Sequence, residues 1–189
     1  MYQTVRHEAE ISAADYFQNY VDLTMLGVSC GDCPNFNRVW SCPMHDFDVA
    51  DFWSRYQTLR LSAVQIIFSP ELRSEVSTED EFNTVMEQIV APEVMKLAKE
   101  LYCSEQEHPG SRSLAPGGAC QLCPGGCSKP EGKPCRQPER MRQSLEALGG
   151  NVIKTAEELL KLPLLWPDLW QLPEYLVFTG GLLLGKEMP

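Results

Sequence analysis

A run of four closely spaced cysteines constrains this chain more than any other feature of its sequence. The run consists of Cys120, Cys123, Cys127 and Cys135 in a C-x2-C-x3-C-x7-C pattern. Thiolates two and three residues apart can converge on one soft metal centre, because a tight turn brings successive sulfur atoms to the same side of the chain. Glycines and prolines between the cysteines suit such turns. The pattern therefore predicts a metal loop over residues 117–137.

A second, shorter cysteine set lies upstream, within residues 27–47. It consists of Cys30, Cys33 and Cys42 in a C-x2-C-x8-C pattern, and a proline directly follows two of the three. Proline after a ligand cysteine is typical of iron–sulfur sequences. Three cysteines leave a fourth ligand position open, and the alternatives for it are Cys103, His45, a non-protein ligand or nothing.

Length and charge exclude several classes of function. A chain of 189 residues fits one metal-binding domain over residues 1–189, with long loops. Acidic residues outnumber basic ones 26 to 16, which gives a net charge of −10. Nucleic acids and anionic membranes both require a basic face, so we expect neither as a partner. The sequence shows no secretory signal and no apolar stretch long enough to span a bilayer.

Cysteine usage suggests a reducing compartment. Eight cysteines among 189 residues fall below the roughly 8–10% that marks a disulfide scaffold. In the cytoplasm, clustered cysteines bind metal or act in catalysis more often than they form disulfides. We therefore expect a cytoplasmic protein with reduced cysteines.

Hydrophobic periodicity predicts an α+β domain. We expect strands at 2–9, 59–68 and 174–184, with shorter pieces at 114–115 and 151–153. We expect helices at 12–20, 48–56, 78–104, 138–150 and 155–162, the third kinked or divided at Pro92. The candidate N-caps are Ser12, Asp48, Thr78 and Thr155. These elements predict a small mixed or antiparallel sheet, with helices packed on one face and both cysteine loops at one end.

No other motif for chemistry competes with the cysteines. The sequence has no Walker loop, no G-x-G-x-x-G and no G-x-S-x-G. Its three histidines lack the i, i+4 spacing of a helical zinc site. The sequence therefore indicates no particular reaction, and whether the protein is an enzyme stays open.

Three segments resemble one protein family. CGDCPNFNRVWSCP, GGACQLCPGGC and KPCRQPERMRQSLEALGGNV resemble, in this order, segments of an uncharacterised cysteine-rich family of anaerobes and methanogens, described only as predicted metal-binding proteins. After its last cysteine, that family typically reads CR-x-P-x-x-x-R-P-S-x-E-A-x-G. Here Gln143 replaces a proline, and Met44 replaces the second proline of a Cys-Pro-Pro. The resemblance implies metal binding but implies no reaction.

The cysteine spacing favours iron–sulfur over zinc. Structural zinc sites usually combine two well-separated cysteine pairs. Here three or four cysteines stand in one run, as in ferredoxin-like sequences, and the anaerobic distribution that the resemblance implies favours the same metal. We therefore predict one or two iron–sulfur clusters of the [4Fe–4S] type, with zinc as the alternative cofactor.

Two functions from different classes follow from these metals. In the first, the protein is a redox carrier or an iron–sulfur enzyme subunit of an anaerobe, and it exchanges electrons with a redox partner protein. In the second, zinc or iron organises the loops for binding a partner protein, without catalysis. Reversible reduction of the bound metal separates the two.

Arginines follow the last cysteine of an otherwise acidic chain. Arg136 would lie just before the N-terminus of the predicted helix at 138–150, where free amides and the helix dipole favour an anion. Arg142 would lie about one turn further along, near Ser144. These three residues are candidate ligands of a small anionic molecule such as a carboxylate or phosphate. The alternative is that the arginines offset the charge of the thiolates or pair with neighbouring glutamates.

Overall fold

The computed structural model of this protein describes residues 1–24, 33, 35–42, 45–118 and 120–185. Within these residues, four strands form one sheet in the order β1-β2-β4-β3. The strands are β1 (Tyr2–Ser12), β2 (Tyr56–Phe68), β3 (Arg112–Leu114) and β4 (Tyr175–Gly185). Every neighbouring pair is antiparallel. The predicted α+β class is thus confirmed, and the sheet is antiparallel rather than mixed.

The described residues also form six α-helices. They are α1 (Ala13–Tyr20), α2 (Val49–Ser54), α3 (Pro70–Glu75), α4 (Glu79–Val85), α5 (Ala91–Glu107) and α6 (Val152–Glu158). The side chains of Ser12, Asp48 and Thr78 accept hydrogen bonds from backbone amides in the first turn of α1, α2 and α4. These three predicted N-caps are confirmed, and Thr78 forms the full capping box with Glu81.

The long helix predicted at 78–104 is divided near Pro92. A π-helical turn, Met86–Val90, joins α4 to α5, and the proline lies in the first turn of α5. Proline lacks an amide donor, so a break in the helical hydrogen bonding immediately before it is favourable.

Helices cover both faces of the sheet, whereas the sequence predicted one face. In β2, Leu59 and Leu61 pack with residues of α1 and α2. Ile66 and Phe68, further along the strand, pack with residues of α4 and α5. Successive side chains of a strand point to opposite faces of the sheet. The buried residues are odd-numbered in the first half of β2 and even-numbered in the second half, so the two halves bury opposite faces. This explains why the centre of β2 is an almost continuous apolar run.

The prediction of a helix at 138–150 is wrong. A turn at 138–140 leads into an extended segment, and a single 3₁₀ turn follows at Glu146–Leu148. The Ala115 amide donates to the Gln143 carbonyl at 2.9 Å, and Ala115 forms a parallel bridge with Ser144. Pairing with the chain that follows β3 therefore replaces the helical hydrogen bonds.

The prediction of a strand at 151–153 is also wrong, because α6 begins there. Asn151 is its N-cap and accepts a hydrogen bond from the Lys154 amide at 3.0 Å. Thr155, which the sequence suggested as the cap, is buried inside the helix, with its hydroxyl 2.8 Å from that of Tyr16. Its hydroxyl bonds a tertiary partner, so the capping role falls to Asn151.

Candidate metal centre and adjacent cavity

The four-cysteine loop leaves the sheet directly after β3. At that point the chain passes very close to Gly180 of β4. A Cβ added to Gly180 would lie 2.7 Å from the Leu114 carbonyl oxygen and 3.2 Å from the Pro116 nitrogen. Only glycine permits this approach of two backbones. The start of the loop is therefore fixed against the middle of a buried strand.

Glycines in the left-handed backbone region shape the first half of the loop. Gly125 and Gly126 have φ values of 80° and 90°. The Gly126 amide donates to the Cys123 carbonyl at 3.1 Å, which closes a turn between the second and third cysteines. Arg136 donates from its guanidinium to the Gly126 carbonyl. This bond connects the residue after the last cysteine to that turn.

The second half of the loop is closed by Ser128. Its hydroxyl donates to the Pro134 carbonyl at 2.7 Å, and its own carbonyl accepts from the Lys133 amide at 3.2 Å. Gly132, with φ of 68°, allows the chain to turn back between these contacts. The seven residues between Cys127 and Cys135 thus form a compact turn that returns the fourth cysteine towards the third.

The four cysteines are half-buried, and none of them forms a disulfide. Burial raises the pKa of the Cys120 thiol, the Leu122 amide opposes this effect, and the charges of Cys127, Cys123 and Cys135 raise the pKa further. These interactions identify the other three thiols as electrostatic neighbours of Cys120. The Gln137 amide also donates to the Cys135 sulfur at 3.4 Å.

This donor set fits a thiolate-bound metal in its chemistry. Neighbouring thiolates repel one another, and a soft cation both removes their protons and offsets their charge. Amide donors to sulfur, as at Cys120 and Cys135, are typical of metal–thiolate sites. Among the residues that the structure describes, no three His, Cys, Asp or Glu side chains are arranged to hold a metal ion. The structure therefore provides the donor loop without a formed coordination sphere.

The first cysteine loop is described only in part, because Cys30 lies outside the described residues. Cys33 is exposed and Cys42 is half-buried. The Asn37 amide donates to the Cys42 carbonyl at 2.9 Å, and Asn37 has a left-handed φ of 54°. The predicted convergence of all three cysteines stays a prediction.

Trp40 connects the two cysteine loops. Its indole N–H donates to the Lys133 carbonyl at 3.2 Å, and the Lys129 ammonium lies 4.1 Å from the centre of its ring. Both partners belong to the turn that precedes Cys135. The loops are thus in contact; that both lie at one end of the sheet stays a prediction.

The two candidates for the open ligand position differ in their surroundings. Cys103 is exposed on α5. His45 is half-buried, and its Nε2 lies 2.6 Å from the Ala147 carbonyl oxygen. A carbonyl accepts, so Nε2 is the donor in this contact and Nδ1 is the nitrogen left for another partner. Nδ1 is buried and has no hydrogen-bond partner among the described residues.

Arg142 is buried and paired with a carboxylate that sequence reasoning missed. Its Nε and Nη2 donate to the two oxygens of Glu105 at 2.7 and 2.6 Å. Its Nη1 donates to the carbonyls of Glu139 and Met141. Burial raises the pKa of Glu105, but hydrogen bonds from Arg142 and from Ser113 outweigh it and hold that pKa below its usual range.

The predicted anion site is changed by these contacts. No helix of the described residues begins beside Arg136, where the chain forms a turn at 138–140, so the predicted helix N-terminus there is wrong. The anion beside Arg142 in the structure is Glu105, 37 residues away in sequence, and no local pattern could have identified it. The Ser144 hydroxyl accepts from the Ala147 amide at 3.1 Å. Binding of a small anion by Arg136, Arg142 and Ser144 stays a prediction.

Glu146 places a second buried carboxylate beside the start of the loop. Its Oε1 packs against Gly117 so closely that a Cβ there would clash. Burial raises the pKa of Glu146, and hydrogen bonds from its own amide and from Ser144 only partly oppose this. Although the residue as a whole is half-buried, its Oε2 is fully buried and lacks a hydrogen-bond partner among the described residues.

A cavity of about 440 Å³ lies between α5 and the four-cysteine loop. Its wall includes Leu101 and Tyr102 of α5, and Pro116 and Leu122 of the loop. Cys120 also lines it, as do Arg142 and Ser144. The first cysteine of the loop, the arginine of the buried ion pair and two of the three predicted anion ligands, Arg142 and Ser144, therefore line one space, whereas Arg136 is not part of its described lining.

Fold and site together define an antiparallel α+β domain that carries two contacting cysteine loops. A family model described as "Predicted metal-binding protein (DUF2284)" matches residues 19–184. The chain therefore belongs to this family, which confirms the predicted resemblance. Comparisons with curated proteins and with solved structures gave no match. None of the helices in the described ranges is long and apolar enough to cross a membrane.

Proposed function

We propose that this metal-binding family member holds an iron–sulfur cluster of the [4Fe–4S] type at the four-cysteine loop, with Cys120, Cys123, Cys127 and Cys135 as ligands. The proposal is supported by the geometry of the loop, in which turns at Gly126 and Ser128 bring four half-buried cysteines onto one short segment. Four cysteine sulfurs on one short segment are the ligand set of such a cluster.

A cluster of this type supplies one-electron transfer, so the proposed role is redox or electron transfer in the cytoplasm of an anaerobe, with a redox partner protein. The chain contributes the sulfur ligands and the donors around them. The amides of Leu122 and Gln137 donate to Cys120 and Cys135 and stabilise their negative charge. Arg136 holds the turn after Cys123 through the Gly126 carbonyl.

A second centre is proposed at Cys30, Cys33 and Cys42, with His45 in preference to Cys103 as the fourth ligand. Metal-bound histidine typically donates its other ring N–H to a carbonyl or carboxylate. His45 is placed in this way, with one ring nitrogen against the Ala147 carbonyl and the other buried without a partner among the described residues.

Structural zinc is the second candidate. The contact of Trp40 with Lys133 and Lys129 favours it, because a metal that orders both loops would fix this contact surface for a partner protein. Zinc has no redox chemistry. Reversible reduction of the bound metal would therefore support the cluster and contradict zinc.

The test is metal and acid-labile sulfide analysis of anaerobically purified protein. We expect a brown protein with a broad absorption near about 400 nm, bleached reversibly by dithionite, and about four iron and four sulfide per chain for one cluster. Colourless protein with stoichiometric zinc under strict anaerobiosis would contradict the proposal.

A further inference from the structure

We propose that the cavity beside Cys120 binds a small apolar molecule that carries a carboxylate or phosphate group. This inference depends on the cavity and on the charges around it, and it holds whichever metal the cysteine loop binds. Unlike the helix-based anion site expected from the sequence, this site is built from Ser41, α5, the loop and residues 140–144.

The body of the cavity suits an apolar ligand. Its volume of about 440 Å³ lies within the roughly 300–1,000 Å³ of small-molecule sites. Val94, Ala98 and Leu101 line it from α5, and Pro116 and Leu122 line it from the loop. An apolar group placed here would be removed from water on both sides.

The charged side chains around the cavity are all basic. They are Lys96, Lys99, Arg140 and Arg142, and its described lining contains no Asp or Glu. The chain as a whole has 26 acidic and only 16 basic residues. In an acidic protein, a lining with only basic charges favours an anion over a cation, and Lys96, Lys99 and Arg140 are exposed and accessible to it.

Three of these cations have no ion-pair partner among the described residues. Arg142 is paired with Glu105, whereas the ion pairs of the described residues include none of Lys96, Lys99 and Arg140. The nearby carboxylate of Glu100, on α5, is paired with Arg6 at 2.8 Å. The positive charge at the cavity is therefore available to a ligand.

A buried hydroxyl also lacks a partner at this cavity. Ser41 is only 7% exposed and lines the cavity, and its Oγ has no hydrogen-bond partner among the described residues. Buried polar groups in folded proteins are nearly always hydrogen-bonded. A carboxylate or phosphate oxygen in the cavity would supply the missing acceptor for this donor.

The test uses three probes with the same apolar body, 4-phenylbutyrate, 4-phenylbutylamine and 4-phenylbutanol. Their dissociation constants are measured on the full chain by NMR chemical-shift titration. We expect saturable binding of the carboxylate, at least about tenfold tighter than that of the amine, which is the effect of one charge-assisted contact. The alcohol should lie between them. A phosphate ester of the alcohol distinguishes phosphate from carboxylate preference.

Two variants locate the binding. Replacing Lys96, Lys99 and Arg140 together by Gln should remove the preference for the carboxylate while the alcohol still binds. Ala98→Trp should fill the cavity and abolish binding of all three probes. Lys161→Gln, an exposed lysine beyond α6, is the control and should change nothing.

The inference would be overturned if the carboxylate did not bind, or if it bound no more tightly than the amine. It would also be overturned if the carboxylate still bound to Ala98→Trp. Metal and sulfide are measured on the same samples. Colourless, zinc-loaded protein that still prefers the carboxylate would contradict the proposed cluster and leave this inference standing.

Discussion

Arg142 and Glu105 form a buried ion pair, with side chains only 8% and 9% exposed. Removing one partner of such a pair leaves an uncompensated buried charge, at a cost of about 3–5 kcal/mol. We therefore expect Glu105→Gln to lower the free energy of unfolding, measured by urea denaturation, by an amount in that range. Glu107→Gln, an exposed carboxylate on the same helix, is the matched control. A loss no larger than that of the control would show that the pair is not structural.

The same pair predicts a pH dependence. Contacts with Arg142 and Ser113 keep the pKa of Glu105 below its usual range, despite the opposing effect of burial. Its stabilisation is therefore complete above the unfolded pKa of about 4.3 and is lost as the pH falls through the lower folded pKa. We expect the stability difference between the protein and Glu105→Gln to shrink as the pH is lowered below about 4. A difference independent of pH would contradict this.

Glu146 predicts the opposite sign. Burial raises its pKa, so as the pH rises the unfolded chain releases this proton before the folded protein does. The folded protein therefore becomes less stable as the pH rises above the unfolded pKa of about 4.3. We expect Glu146→Gln to unfold at higher urea concentration at neutral pH, with the gain disappearing towards pH 4. A less stable variant at neutral pH would mean that the ionised carboxylate has a favourable partner.

At the scale of elements, the four-cysteine loop is the segment whose order depends most on metal. Structural metal can contribute on the order of 10 kcal/mol to folding. Cys135 also accepts a hydrogen bond from Gln137 and precedes Arg136, which holds the turn at Gly126. We therefore expect Cys135→Ser to lose bound metal and to melt at a lower temperature than the unsubstituted protein.

Cys103→Ser is the control for this prediction, because Cys103 is an exposed cysteine of α5 outside the loop. It should keep the metal content and melting temperature of the unsubstituted protein. Unchanged metal and melting temperature in Cys135→Ser would show that Cys135 is not a ligand.

Elements specified by local chemistry were predictable. Ser12, Asp48 and Thr78 begin helices because their side chains bond amides two or three residues ahead, a signal contained within one turn. The segment 138–150 has an equally good helical pattern but is extended at its centre. There Gln143 bonds to Ala115, and Arg142 bonds to Glu105. Both partners lie far away in sequence, so no local pattern indicates these bonds.

At the scale of the whole molecule, the sequence indicated candidate ligand residues but did not indicate their surroundings. The spacing of Cys120, Cys123, Cys127 and Cys135 indicated a metal loop, and the family confirms metal binding as its expected property. The cavity beside Cys120 joins Ser41, α5, the loop and residues 140–144. It arises from tertiary packing of segments about a hundred residues apart, so periodicity and motif spacing carry no sign of it.

The most direct test of the central claim is the iron and acid-labile sulfide content of the anaerobically purified protein, compared with that of Cys120→Ser. Cys120 is chosen because its thiol interacts with the other three. We predict about four iron and four sulfide per chain at this loop, which are lost in Cys120→Ser and retained in Cys103→Ser. Iron and sulfide in Cys120→Ser at the full level of the unsubstituted protein, or stoichiometric zinc in their place, would contradict this prediction.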